Sequence, residues 1–314
     1  MKYSILLFLL LGFSSNAQEW KTLKTNTEST SRSENSLIAA GNKLYLFGGR
    51  GIKPLEVFDP KTNSWEKRSN IPLEIHHFQA VTYNGEIYVL GALTGPYPHE
   101  TPIPNIYIYN PDKDEWRVGA EIPRKRGAAG AFVYKNKIYM VCGIQDGHWD
   151  GHVTWFDEYD PKTGKWKELS DAPRARDHIN VTVVGDKLVV AGGRRSSGKT
   201  NQVFELVIPE TDIYDFKTGK WSTAQEPIPT TRAGNAAITL NNQAVFIGGE
   251  SHHQIEAHDE VEAFDPKTMK WKSLPKLNQG RHGMSATKLG DKYYISSGVS
   301  KRGGSPEQNS MECL

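Results

Sequence analysis

Apolar residues fall along this chain in short runs, each closed by a pair of small residues. The runs are Tyr45-Leu-Phe-Gly-Gly49, Tyr88-Val-Leu-Gly-Ala92, Tyr139-Met-Val-Cys-Gly143, Val189-Val-Ala-Gly-Gly193, Val245-Phe-Ile-Gly-Gly249 and Tyr294-Ile-Ser-Ser-Gly298. Such a run reads as a buried strand, and its small pair as a close approach of backbones at the strand's end. A second unit follows five of the runs: Val57-Phe-Asp-Pro-Lys-Thr-Asn-Ser-Trp65, Ile108-Tyr-Asn-Pro-Asp-Lys-Asp-Glu-Trp116, Glu158-Tyr-Asp-Pro-Lys-Thr-Gly-Lys-Trp166, Ile213-Tyr-Asp-Phe-Lys-Thr-Gly-Lys-Trp221 and Ala263-Phe-Asp-Pro-Lys-Thr-Met-Lys-Trp271. An aromatic residue ends one strand, Asp or Asn opens a tight turn that Pro can fix in φ, and Trp begins the next strand. Helical amphipathic patterns are absent, and Gly and Pro punctuate the chain throughout.

With Trp20 added, the tryptophans at 20, 65, 116, 166, 221 and 271 are spaced by 45, 51, 50, 55 and 50 residues. A period in this range marks a repeat architecture. The strand, Gly-Gly pair, loop, aromatic-Asp-Pro turn and Trp together resemble the kelch repeat, over nearly all of the chain beyond residue 17. The resemblance implies an all-β fold, a single six-bladed β-propeller over residues 18–314 with each blade a four-stranded antiparallel sheet. The last run has no Trp strand after it, and Glu19-Trp-Lys-Thr-Leu23 is expected to supply one. The N-terminal strand would then pair in the last blade and close the ring without an open edge.

Residues 1–17 form a separate element. Met-Lys, the apolar run Ile5–Leu11 and small residues at Ser15 and Ala17 read as a secretory signal peptide, cleaved near Ala17. A membrane span needs about 20 apolar residues, more than this run has. The expectation is an exported protein, periplasmic or secreted. The formal charge of +2 argues against a nucleic-acid partner, which normally calls for a concentrated basic face. Cys142 and Cys313 fall in blades three and six, so no disulfide is expected between them.

Candidate chemistry lies in the loops between second and third strands, which the resemblance gathers on one face. The distance from small pair to turn aromatic is 9 residues in the first repeat (Gly49 to Phe58) and 21 in the fourth (Gly193 to Tyr214). Long loops on one face of a rigid scaffold are where binding residues concentrate. Six of the ten His residues lie in these loops: His99, His148, His152, His252, His253 and His258. His148 and His152, with His252, His253 or His258, are candidate Zn²⁺ ligands; no other cofactor is indicated. Sixteen residues before each small pair stand Arg32, Ile75, Arg126, Arg176, Arg232 and Arg281, and two residues further on Glu34, His77, Ala128, His178, Gly234 and Gly283. By resemblance these surround the channel mouth. The five Arg residues offer planar forks for a carboxylate or sulfate, unless they serve as hydrogen-bonding residues between blades. Trp149 and Trp155, outside the repeat, are candidate sugar platforms or loop packing.

Three classes of function fit. One is a lyase or dehydratase on uronic-acid-containing oligosaccharides, with Arg holding the carboxylate. His77 and His178 would then be base and acid, with His148, His152 and His282 as substitutes. Another is a mutarotase or epimerase of an acidic sugar, as in the kelch-type sialic acid mutarotases that the chain resembles. The third is a non-catalytic module binding glycan or protein. Galactose-oxidase-like copper chemistry fits poorly, since the cysteines lie on repeat strands, and no Gly-x-Ser-x-Gly elbow supports Ser hydrolysis.

Overall fold

A computed structural model describes residues 19–314, so the signal peptide expected over residues 1–17 lies outside the described residues. Those residues contain no helix, and none therefore long and apolar enough to cross a membrane. Their strands form six four-stranded antiparallel sheets and two two-stranded hairpins. Blade one runs outward as Asn35–Ala40, Lys43–Gly48, Leu55–Asp59 and Ser64–Arg68, and blades two to five repeat the order. The first strand of each blade is the innermost. It contacts the first strands of the blades on either side, and that of blade six (Ala286–Leu289) touches that of blade one, so the ring is closed. In blade six the outermost strand comes from the other end of the chain: Lys21–Leu23 pairs antiparallel with Met311–Cys313.

The repeated motif explains itself in atoms. Each turn aromatic sits opposite its Trp across the hairpin, in the pairs Phe58–Trp65, Tyr109–Trp116, Tyr159–Trp166, Tyr214–Trp221 and Phe264–Trp271, with ring centroids 4.9–5.2 Å apart. Cross-strand aromatic pairs of this kind contribute roughly 0.2–1 kcal/mol each. The turn Asp or Asn accepts from the backbone two residues on, as Asp160 Oδ1 does from Lys162 N at 2.9 Å. Three Trp indoles reach across to a carbonyl preceding their own blade: Trp116 to Ser69, Trp166 to Glu121 and Trp221 to Ser170, at 2.8–3.1 Å. In the five blades where the second small residue of the pair is Gly, it has no room for a side chain. A Cβ on Gly49 would stand 2.7 Å from Ser33 O, and one on Gly298 2.5 Å from His282 O.

The structure corrects the sequence reading of the arginines. Arg32, Arg126, Arg176, Arg232 and Arg281 are at most 1% exposed. Each guanidinium points into its own blade, against a carboxylate of the third strand: Glu56 (2.5 Å), Asp157 (2.6 Å), Asp212 (2.6 Å), Glu262 (2.5 Å) and Glu312 (2.8 Å). Each also donates to backbone carbonyls near the small pair, such as Arg176 to Gly192 O at 2.8 Å. These forks are consumed by the scaffold, and none is presented to a ligand.

Candidate functional site

The residue two places after each Arg position does reach the channel mouth, by a route the strand pattern did not foresee. Glu34, His77, Ala128, His178, Gly234 and Gly283 all have φ between 51° and 65°, in the left-handed region. The chain turns there before the innermost strand begins. Its amides are handed from blade to blade: His77 N donates to Glu34 O, Ala128 to His77 O, Gly234 to His178 O and Gly283 to Gly234 O, at 2.8–3.1 Å. Glycine suits this conformation, and blades five and six use it. His77 and His178 adopt it at an energetic cost, which turns two imidazoles toward the axis. Strained positions of this kind recur at functional sites.

A third imidazole arrives from above. The loop of blade three forms a hairpin, Ile144–Asp146 against Asp150–His152, and His148 lies at its turn. Its amide is held by Pro98 O (2.9 Å) and Glu100 Oε2 (3.1 Å) from the blade-two loop. The rings of His77, His148 and His178 stand 4.6–5.1 Å apart, each only 5% exposed. His148 Nε2 and His178 Nε2 face each other at 3.0 Å. Behind them, His148 Nδ1 meets Glu100 Oε1 at 3.0 Å, and His178 Nδ1 is hydrogen-bonded to Asp177. His77 Nδ1 contacts His76 Nδ1 at 2.6 Å, and its Nε2 lies 3.4 Å from Glu34 Oε2. These three form the one group of three or more ligand-type side chains, among the described residues, whose donor atoms converge within 4.8 Å.

Burial controls the electrostatics. It holds the His77 imidazole well below its ordinary range, reinforced by His178, and pushes His178 down to about 3, with Arg194 adding to the effect. His76 falls to about 4, by burial and then Arg50. Burial raises Glu34 above the usual carboxylate range. It also opposes ionisation of Asp177, but His178 and His152 outweigh it and hold that carboxyl well below its usual value. Glu250 is likewise brought down to about 2, burial being overcome by His282 and Arg194. Burial therefore favours the neutral imidazole at His77 and His178, below the near-neutral range expected from the sequence for an acid–base pair.

Above the three His opens a depression of about 330 Å³ lined by residues from the loops of all six blades. Arg50, Arg194 and Glu250 form part of its wall, His77 and His148 face it, and Tyr97 and Phe204 are its aromatic surfaces. Arg50 is ion-paired to Glu100, and Arg194 to Glu250 at 2.5 Å. Glu34 lines both this depression and the narrow cavity that continues below it into the channel.

The other sequence candidates fall elsewhere. His152 Nε2 is 3.0 Å from Asp177 Oδ2, behind His178. His282 does line the depression, buried at its rim, with Nε2 against the carbonyls of Lys301 (2.9 Å) and Gly303 (3.0 Å) and 3.3 Å from Glu250 Oε2. His258 is held by Ser251 Oγ and Glu260 within its own loop, while His252 and His253 stack on each other in solvent. Of the expected metal ligands only His148 reaches the convergent group, and its partners are His77 and His178. Trp155 lies under the guanidiniums of Arg124 and Arg126, and Trp149 packs beside His99 and Gly198; neither lines the depression. Sequence reasoning missed Arg50, Glu100, Asp177, Arg194 and Phe204. Arg50 and Arg194 each directly follow a Gly-Gly pair, which was the available signal.

Comparison with known proteins places these features in a wider set. The profile of the Attractin/LZTR1 beta-propeller family matches residues 4–250. The Kelch-like protein terF of Aspergillus terreus is 26% identical over 293 residues, covering 85% of this chain and 62% of that protein. Kelch-like protein 40 of Xenopus laevis is 28% identical over 190 residues, 57% of this chain and 30% of the relative. The chain thus spans less than two thirds of the length of these curated relatives. The solved structure of YjhT superposes with a TM-score of 0.77 over 91% of this chain and 95% of its own, at 16% identity, a likeness of fold.

Proposed function

Because the chain belongs to the Attractin/LZTR1 beta-propeller family and builds a kelch-type six-bladed ring, we propose that it is an exported protein acting on acidic carbohydrate at the channel mouth. The ligand is a uronate-bearing saccharide, and the reaction is elimination next to its carboxylate. The observation that carries this reading is the depression itself, which joins Arg50 and Arg194, an aromatic wall and a carboxylate–imidazole floor. Its volume of about 330 Å³ is at the small end of ligand pockets, suited to one or two sugar units. Arg50, not the scaffold arginines, meets the carboxylate, with Arg194 beside it. Phe204 offers a flat face to the sugar ring.

In this pose the carbon-bound proton next to the carboxylate faces Glu34, which accepts it. The electron pair moves into the ring carbon–carbon bond, and the bond to the C4 substituent breaks. The departing oxygen takes a proton at the open side, where Tyr97 stands. A departing sugar makes the protein a lyase, and a departing hydroxyl a dehydratase. Positive charge close to the carboxylate stabilises the enolate that develops.

The test is a panel of acidic oligosaccharides, followed by the ultraviolet chromophore of an unsaturated uronate. Turnover of the intact protein is expected, with Glu34→Gln inactive yet still binding. Arg50→Gln should bind about 10–100-fold more weakly, as expected for one charged hydrogen bond. Neutral sugars binding as well as acidic ones, with no effect of Arg50→Gln, would overturn the acidic ligand. A second reading, a glycan-binding module without turnover, is favoured by one observation: both wall arginines already carry a carboxylate partner. Binding without a chromophore selects it, whereas a shift of anomeric ratio by NMR selects a mutarotase.

A further inference from the structure

The structure assigns a divalent transition-metal site, of the zinc class, to His77, His148 and His178, with Glu100 and Asp177 as the carboxylates that orient two of the ligands. The argument begins with tautomers. A carboxylate accepts, so His148 Nδ1 facing Glu100 (3.0 Å) and His178 Nδ1 facing Asp177 must each carry the proton. With neutral rings, both Nε2 atoms then present lone pairs, and these point at each other across 3.0 Å. Two lone pairs at that distance repel unless something electropositive lies beside them. A metal ion accepts both pairs.

The dimensions fit. Imidazole nitrogens bind zinc at about 2.0–2.1 Å, which puts two nitrogens of a tetrahedral site roughly 3.3 Å apart. The observed 3.0 Å pair and the 4.8 Å bound on the whole group enclose that value. A carboxylate behind a ligating His is the common arrangement that fixes tautomer and ring direction, and two of the three ligands have one. Charge agrees as well. Glu34, Glu100, Asp177 and Glu250 cluster around the site against Arg50 and Arg194, so a dication answers the surplus of acidic groups. Three protein nitrogens leave a coordination position for a ligand, and His77 and His148 line the depression above.

The site stands on its own geometry, but its chemistry rests on the saccharide reading: a metal facing the depression would polarise the carboxylate whose neighbouring proton Glu34 takes. The experiment uses the intact protein, stripped with chelator, dialysed and titrated with Zn²⁺ and Co²⁺. One equivalent should bind, raise the melting temperature, and give for Co²⁺ the intense visible bands of a low-coordinate nitrogen site. His148→Ala and His178→Ala should lose the bands and the thermal shift. Glu100→Gln should bind about 10–100-fold more weakly. His252→Ala and His253→Ala, in the solvent-exposed pair, should match the parent. Folding of each variant is checked by its apo melting curve; should His178→Ala fail to fold, His148→Ala on the hairpin decides alone. No stoichiometric metal in the intact protein, or full affinity in His148→Ala, overturns the site. The two proposals fail separately: metal bound with no acidic-sugar activity sinks the substrate, and full turnover after chelation sinks the metal's part in catalysis.

Discussion

Arg176 and Asp212 illustrate what one residue pair decides. Both are buried, 2.6 Å apart, and the Arg also donates to Gly192 O. Removing one partner of a buried ion pair strands the other and costs about 3–5 kcal/mol, whereas replacing both with apolar groups is far milder. Asp212 keeps Arg174 and Thr223 as partners, so Arg176→Ala is expected to lose about 3 kcal/mol, the low end of that range, in urea denaturation. A single variant as stable as the parent would refute a scaffold role. The sequence contained the signal: Glu56, Asp157, Asp212 and Glu262 each stand two residues before the turn aromatic of a blade that has the Arg. Blade two, with Ile75 for Arg, has Tyr107 at the acid's place. Partners lost together mark a structural pair, a relation between positions that a count of arginines alone does not show. Cys142 follows a similar logic of burial, which pushes its thiol up to about 11 from the ordinary 9.0. Being protonated below that value, it should resist thiol reagents in the native protein at pH 8 and react only on unfolding. A group retaining its proton longer when folded also contributes stability that is lost as pH rises from about 9 toward 11. Rapid labelling of Cys142 at pH 8 without denaturant would contradict this burial.

Strands and turns were legible in the sequence because their patterns are local. Apolar runs, Asp-Pro turns and paired aromatics all act within one hairpin, and the structure puts each where its motif stands. The loops were legible only as a face. Their internal shape depends on contacts between blades, such as Glu100 of blade two holding the amide and ring of His148 in blade three. The His148–His152 spacing therefore misled: one residue sits at the hairpin turn and the other behind His178. Gly147 is the hinge of this element, at φ 38°, and a Cβ there would lie 2.0 Å from Glu100 Oε2. Gly147→Ala should push the hairpin tip off Glu100 and weaken zinc binding about 10–100-fold, the range for disturbed ligand-orienting partners. The melting curve should move little, because the hairpin lies outside the six sheets. A large loss of stability with intact zinc affinity would place Gly147 in the scaffold instead.

Over the whole molecule, a ring differs from an open stack of repeats. In an open array each unit meets only its neighbours, and unfolding can begin at an end. Here the ends lie within one sheet, with Lys21, Thr22 and Leu23 opposite Cys313, Glu312 and Met311. Trp20, 3% exposed, packs into the core shared by blades five and six, and Asn278 Nδ2 donates to its carbonyl at 2.8 Å. Removing residues 19–23 opens the edge of Met311–Cys313, exposes that core and loosens the blade that joins the two ends. Loss of a buried Trp alone costs about 3–5 kcal/mol, so Trp20→Ala should approach the effect of the truncation. Because closure couples every interface, the destabilisation should spread. Amide exchange should accelerate in the innermost strands of blades three and four, across the ring, as well as in blade six. An exposed-loop deletion of equal length, at His252–Glu256 for instance, should leave those strands protected. If the truncated protein melts like the intact one, or exchanges faster in blade six alone, the closing strand is an ornament on a ring that holds together without it.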